Sequence, residues 1–230
     1  MKVLVACEES QEVCKAFRER GHEAYSSDLQ ECSGGHPEWH IQGDCLLLLN
    51  GNTSFVTSGG GVKTTIDKWD LIIAHPPCTY LSNLGANHLY MGDETISRPK
   101  GIFPFDEFRL MNEERIKKGI QARDFFLAML NADCERIAVE NPVPSSLWQL
   151  PEESQTIQPY MFGDPYKKKT YLWLRGLPPL MATCLVEPTG LWVDGGHGKT
   201  TKMKTFGFRD TKKRSKTFPG IAQAMAEQWG

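Results

Sequence analysis

The feature that most constrains this chain is a recurrence of short apolar runs, each ending at a polar or charged residue. Lys2–Ala6, Glu23–Ser27, Asp70–Ala74, Arg136–Val139 and Thr170–Leu174 are all of strand length, and all but the more polar Glu23–Ser27 are rich in Val, Ile, Leu or aromatic residues. Helical patterns stand between them. Val13, Cys14, Ala16 and Phe17 recur at helical spacing until Gly21. Ile116, Ile120, Phe125, Phe126, Met129 and Leu130 give an apolar face to a helix from Glu107 to about Asn131, and Ile221–Trp229 closes the chain as a helix. Strands alternating with helices predict an α/β fold with a doubly wound, mostly parallel sheet. Gln30–Gly43, rich in Gly, His and Pro, reads as loop. Asn50–Thr65, with Gly59-Gly60-Gly61, reads as a mobile excursion outside the core.

Of the 230 residues 40% are apolar and 23% charged, which is globular composition and argues against wholesale disorder. The apolar stretch around Leu46–Leu49 falls far short of the ~20 residues of a membrane-spanning helix. Met1–Ala6 runs into Glu8-Glu9-Ser10 with no cleavable signal pattern, so a soluble cytoplasmic protein without membrane association is expected. Seven cysteines, none in a C-x-x-C pair, read as reduced thiols. The net charge of −2 says little about partners, but eight of the residues from Lys199 to Lys216 are basic, among them Lys212, Lys213 and Arg214. Such clustering suits a polyanion, although a basic stretch is more often a solvated face. Three segments follow: a main domain over 1–180, a small basic appendage over 181–215, and a helix over 216–230 that returns to the main domain.

In a doubly wound sheet, ligands bind beyond the carboxyl ends of the strands. Glu8, Asp28, Asp44, Cys78 and Glu140 all fall at or just past such ends. Cys78 follows Pro76-Pro77, which fix φ and remove backbone donors at the strand exit. A thiolate held there is a nucleophile able to attack carbon, although a lone cysteine after two prolines is more often inert. Cys32, His36, His40 and Cys45 are spaced Cys-x3-His-x3-His-x4-Cys, which departs from the usual paired zinc spacing. No metal is expected. His75 reads as a positioning residue rather than a ligand.

Pro76-Pro77-Cys78, followed by Ser82 and Gly85, resembles the nucleophile loop of DNA cytosine-5 methyltransferases. Val139-Glu140-Asn141-Pro142 resembles their second catalytic segment. Tyr166-Lys167-Lys168-Lys169-Thr170-Tyr171 is similar to their later basic motif, with Lys in place of Arg. The likeness runs from Val3 to Gly176, and the Phe218-Pro219-Gly220-Ile221 helix stands where the family's last motif would. Its compact form is most like short, phage-type members, which implies a bacterial host cytoplasm. Two departures are plain: Ala6-Cys7-Glu8-Glu9-Ser10 replaces a Gly-rich motif, and Thr79 replaces a Gln.

The resemblance implies a Rossmann-like fold, S-adenosylmethionine (or a derivative) as donor, and a flipped or single-stranded cytosine in DNA as substrate. Cys78 would add to C6 and Glu140 would hold N3, with Lys167 and Lys169 beside them. A Glu carboxyl pushed up by burial and a Cys thiol pushed down by a nearby Lys or helix end would suit these roles. Ala6, Cys7, Glu8, Ser10, Asp28, Asp44 and Pro76 would line the cofactor site. Pro77, Thr79, Ser82, Asn141, Lys212, Lys213 and Arg214 would meet the DNA. With so small an appendage, a short or relaxed target sequence and salt-sensitive binding are expected. Two other readings stay open: an amino-group (N4 or N6) DNA methyltransferase, which fits His75 and Cys78 poorly, and a catalytically silent nucleic-acid binder of the same fold. A nucleotide-binding oxidoreductase is disfavoured by the missing glycine fingerprint.

Overall fold

A computed structural model describes residues 1–86, 89, 112–192, 204–205 and 215–230. Lys199, Lys202 and Phe206–Arg214, with the expected phosphate contacts Lys212, Lys213 and Arg214, lie outside the described residues, as does the expected helix start at 107–111.

The main sheet has seven strands. In chain order they are β1 (Lys2–Ala6), β2 (Glu23–Asp28), β3 (His40–Gln42), β6 (Leu71–Ala74), β7 (Ile137–Pro142), β8 (Gln155–Ile157) and β10 (Thr170–Arg175). Their spatial order is β3-β2-β1-β6-β7-β10-β8. The first five are parallel, and β10 runs antiparallel to both its neighbours. This is the doubly wound α/β sheet that the alternation of strands and helices predicts.

Its two faces are covered by different helices, and strand alternation sorts the side chains between them. Val3 and Val5 of β1, with Leu71 and Ile73 of β6, pack in one buried cluster with Val13 and Phe17 of α1 (Glu12–Glu19). Ile221, Met225 and Trp229 of the C-terminal helix α4 (Pro219–Trp229) complete that cluster. Leu4, Ala6, Ile72 and Ala74 face the other side, towards Phe126 and Met129 of α3 (Glu113–Leu130) and the indoles of Trp69, Trp148 and Trp173. Fully burying one such side chain is worth about 1.5–3 kcal/mol. The helix α3 opens on Asn112, whose side chain accepts a hydrogen bond from Arg115 N, and has Glu113 and Glu114 in its first turn.

Three expectations are corrected. Gln30–Gly43 is not all loop: His40–Gln42 pairs with β2 as an edge strand, because Ser26, Ser27 and Asp28 offer it a parallel ladder. Asn50–Thr65 is no excursion outside the core, since β4 (Thr53–Phe55) and β5 (Thr64–Ile66) form an antiparallel hairpin. Its Phe55 and Ile66 are buried against Tyr25 and Trp69. On α3, Ile120 is exposed, and the buried position one residue earlier is Gly119, pressed against the Trp148 ring. A second, three-stranded sheet joins β9 (Tyr166–Lys167), β11 (Gly190–Leu191) and β12 (Lys204–Thr205) in parallel. No described helix is long and apolar enough to cross a membrane.

The strand order reverses direction between β1 and β6. A crevice therefore opens at the carboxyl ends of these two strands, where one crossover leaves to each side.

Candidate active site

The loop after β6 carries the nucleophile candidate and is fixed at several points. Asn141, fully buried near the end of β7, donates from Nδ2 to Pro76 O at 2.9 Å. His75 N donates to Ala6 O at 2.9 Å, extending the β1–β6 ladder by a residue. Beyond Cys78 the chain turns at once, with Leu81 N and Ser82 N both donating to Cys78 O at 3.1 and 2.9 Å. Ser145 N donates to Leu81 O and Asn83 N to Val143 O, so the loop is laced to the segment that follows Glu140-Asn141. Ser82 Oγ accepts from Gly85 N, and a side chain at Gly85 would meet Thr79 O at 2.2 Å. Arg115 reaches from α3, donating to Gly85 O at 3.0 Å and Thr79 O at 3.4 Å while covering the Tyr80 ring. Pro76 is buried, Cys78 half-buried, and Pro77 and Thr79 exposed. Two prolines, a turn and ties from three elements hold the backbone of this loop rigidly around Cys78.

Glu140 lies in β7 itself, one residue before Asn141. Its Oε2 is 3.0 Å from His75 Nδ1, and both side chains are about nine-tenths buried, at 11% and 9% exposed. Burial pushes the Glu140 carboxyl up, but the His75 hydrogen bond and the positive charges of Lys168 and His75 outweigh it. The net position is below the ordinary carboxylate range. This corrects the expectation of a raised carboxyl at Glu140. The raised one is Glu8, whose buried carboxyl is pushed up to about 7 by desolvation, against the opposing pull of His75 and two backbone bonds. Those bonds run from Val13 N at 2.6 Å and Cys14 N at 3.1 Å. Glu8 thus caps the helix α1 from within.

Lys168, which sequence reasoning passed over, is the lysine whose charge reaches Glu140. Lys167 is exposed in β9, and the exposed Lys169 donates to the Tyr171 hydroxyl at 3.0 Å and covers its ring.

The β1–α1 turn bends without glycine. Cys7 and Gln11 both take left-handed φ of 60°, and Glu8 N donates to Ser27 O at 3.1 Å. Loop 32–36 lies directly on this turn, with Ser33 N bonded to Glu9 O and Gln11 bridging to His36 O and His36 N. A side chain at Gly34 would sit 2.5 Å from Ser10 O and from Gln11 Cβ. The C-terminal segment returns to the same place, where Lys216 Nζ donates to Ser33 Oγ at 3.1 Å.

Asp28 ends β2 and accepts from Gln30 N on Oδ1. Asp44 is exposed and accepts from Leu46 N on Oδ1. The Cys45 thiol 3.8 Å away and burial push the Cys7 thiol up, and the charges of Asp28 and Asp44 add to that shift. Among the described residues, Glu9, 7% exposed, has no hydrogen-bond partner for either carboxylate oxygen, and the buried Ser27 Oγ has none either. Buried polar atoms normally find partners, so those left over mark where a ligand would supply them.

This donor set fits a nucleoside with a cationic tail rather than a polyphosphate. Carboxylates at Asp28, Asp44 and Glu9 can accept from ribose hydroxyls, an exocyclic amine or an ammonium group. No glycine nest is present in the β1–α1 turn to cradle phosphate. S-adenosylmethionine has those groups.

Among the described residues no group of three His, Cys, Asp or Glu is placed to hold a metal. His40 is fully buried with Nδ1 on Ser26 Oγ and Nε2 on Gln30 O at 2.9 Å each, while His36 stacks on Trp39 and bonds Glu38. Cys32, His36, His40 and Cys45 therefore stand apart in role.

No family model matches the chain, and no curated protein matches it. Among solved structures it is similar to a candidate DNA modification methyltransferase encoded within a prophage (E. coli), at 10% identity and a TM-score of 0.43. The match covers 81% of this chain and 52% of that one, so the chain spans about half the length of the solved protein.

Proposed function

We propose that this chain is a DNA cytosine-5 methyltransferase with Cys78 as nucleophile and Glu140 as the residue that holds the pyrimidine N3 edge. The observation that carries the reading is the 2.9 Å bond from Asn141 to Pro76 O, which fixes the Pro-Pro-Cys loop beside the residue next to Glu140. It does so at the carboxyl ends of β6 and β7, the side on which doubly wound sheets generally bind ligands. The motifs are 65 residues apart in sequence, and the fold brings them together.

The cofactor, S-adenosylmethionine, would supply an electrophilic methyl carbon on a sulfonium. Asp28, Asp44, Glu9 and the Ala6–Ser10 turn would hold it in the β1 half of the crevice, with Pro76 at the border. In the β6–β7 half, the Cys78 thiolate adds to C6 of cytosine, and the C5=C6 electron pair moves towards C5 and the N3 edge. Glu140 hydrogen-bonds that edge and N3 takes up a proton, which neutralises the developing negative charge. After C5 has gained its methyl group, transfer of the C5 proton to solvent water re-forms the double bond and expels the Cys78 sulfur as thiolate. A base stacked in duplex DNA cannot reach Cys78, so the cytosine is extruded or single-stranded. Thr79 and Ser82 on the loop, together with Lys167, Lys169, Lys212, Lys213 and Arg214, would meet the nucleotide and its phosphates. Lysines act there as point charges, which gives salt-sensitive binding and short or relaxed target preference.

Nucleoside mass spectrometry of DNA incubated with protein and S-adenosylmethionine tests this. The reading expects 5-methyldeoxycytidine, abolished by Cys78→Ala. N4-methyldeoxycytidine or N6-methyldeoxyadenosine in its place would identify an amino-group methyltransferase, and no modified nucleoside would favour a silent binder.

A further inference from the structure

The proposed chemistry requires a proton at N3, and the geometry around Glu140 raises the question of where that proton resides. Glu140 is nearly buried, yet Lys168 and His75 hold its carboxyl below the ordinary range, so at neutral pH it carries no proton of its own. The side chain hydrogen-bonded to it is His75, 3.0 Å away through Nδ1. The imidazole is fixed by position, because its backbone N–H is locked to Ala6 O at the end of β1. Its second nitrogen, Nε2, is buried with no hydrogen-bond partner among the described residues. The charges that act on the pair are those of Glu8 in the β1–α1 turn, itself influenced by Glu12, and of Lys168 in the β9–β10 turn, while Cys78 follows three residues along the same loop. An imidazole hydrogen-bonded to a buried, ionised acid, with the charge of a second buried acid acting on it, is placed to hold a proton for the pair.

Resting on the reading above, we propose that His75 is the positioning residue for Glu140: it orients the carboxylate and stores the proton that N3 takes up. The proton balance closes. At rest the pair holds the mobile proton on Nδ1, with Nε2–H retained. As Sγ–C6 forms and the pyrimidine becomes basic, Glu140 gives N3 a proton and receives the Nδ1 proton in exchange, leaving neutral imidazole and carboxylate. When the C5 proton has left to solvent water and Sγ–C6 breaks, the N3 proton returns through Glu140 to His75. No oxidant or further reactant is needed.

The test is single-turnover methyl transfer across pH, with His75→Asn, Glu140→Gln and the double variant. Asparagine keeps an N–H donor for Glu140 but holds no transferable proton. We expect His75→Asn to lower the rate about 10²-fold at neutral pH, within the 10²–10⁴ range of acid–base catalysis. The wild type is expected to lose rate on the alkaline side, and His75→Asn should abolish that fall. In the double variant, adding His75→Asn to Glu140→Gln should cost nothing further, because the two act through one proton. An unchanged pH profile in His75→Asn, or full multiplication of the two effects, overturns the inference while leaving the methyltransferase reading intact. Wild-type protein that makes no 5-methyldeoxycytidine overturns both. His75→Gln, with a longer donor, covers the case in which the Asn variant does not fold.

Discussion

Glu8→Gln is expected to exchange stability at low pH for stability at high pH. The Glu8 carboxyl is pushed from 4.5 to about 7 in the folded protein, chiefly by burial. At 1.36 kcal/mol per pKa unit, ionising it in place costs on the order of 3 kcal/mol. The sign follows from the direction of the shift. The folded state binds the proton more tightly than the unfolded state, so the contribution is fully present below 4.5 and is lost as pH rises through 7. Glutamine has no such titration, but it replaces one of the two acceptors that serve Val13 N and Cys14 N, a loss of about 1–3 kcal/mol for a buried donor. The variant should therefore melt below wild type at about pH 5 and converge with or cross above it by about pH 8. The relative swing is roughly 6–12 °C at 2–4 °C per kcal/mol for a chain of this size. Thermal melts of both proteins at several pH values, followed by circular dichroism, measure it, and groups that titrate alike in both drop out of the difference. A gap that stays constant across pH would refute the burial argument.

Other outcomes follow from the same contacts. Asp28→Asn should weaken S-adenosylmethionine binding about tenfold by calorimetry, the loss of one charge-assisted hydrogen bond, with little change in melting temperature. Asn141→Leu removes the tie to Pro76 O and should slow methyl transfer about 10²-fold while donor affinity holds, because the Cys78 loop loses its register. Gly119→Ala places a methyl group 1.9 Å from Trp148 Cη2. It should destabilise by about 1–3 kcal/mol in urea unfolding, despite the ~1 kcal/mol that Ala gains over Gly in helix propensity. A stabilised variant would mean that Trp148 moves freely.

What could be read from the sequence divides along physical lines. Strands β1, β6 and β7 were legible because burial on both faces makes them continuous apolar runs. The edge strand His40-Ile41-Gln42 was not, because its own residues favour nothing and β2 alone recruits it. The hairpin holding Phe55 and Ile66 was hidden by its glycine-rich tip, while its packing depends on Trp69 and Tyr25. At the site, Cys78, Glu140 and Asn141 announced themselves as compact motifs. Arg115 and Lys168 did not, since their roles arise from chain segments that meet only after folding. Glu8 and Glu9 were indistinguishable as letters. The fold turns the first inward to cap α1 and leaves the second without hydrogen-bond partners.

The most direct test of the central claim is covalent capture on an oligonucleotide carrying 5-fluorocytosine, with S-adenosylmethionine present. The fluorine blocks the final loss of the C5 proton, so the account predicts a stable protein–DNA adduct that peptide mass spectrometry maps to Cys78. An adduct at another cysteine, or none from a protein that binds both DNA and the methyl donor, would contradict it.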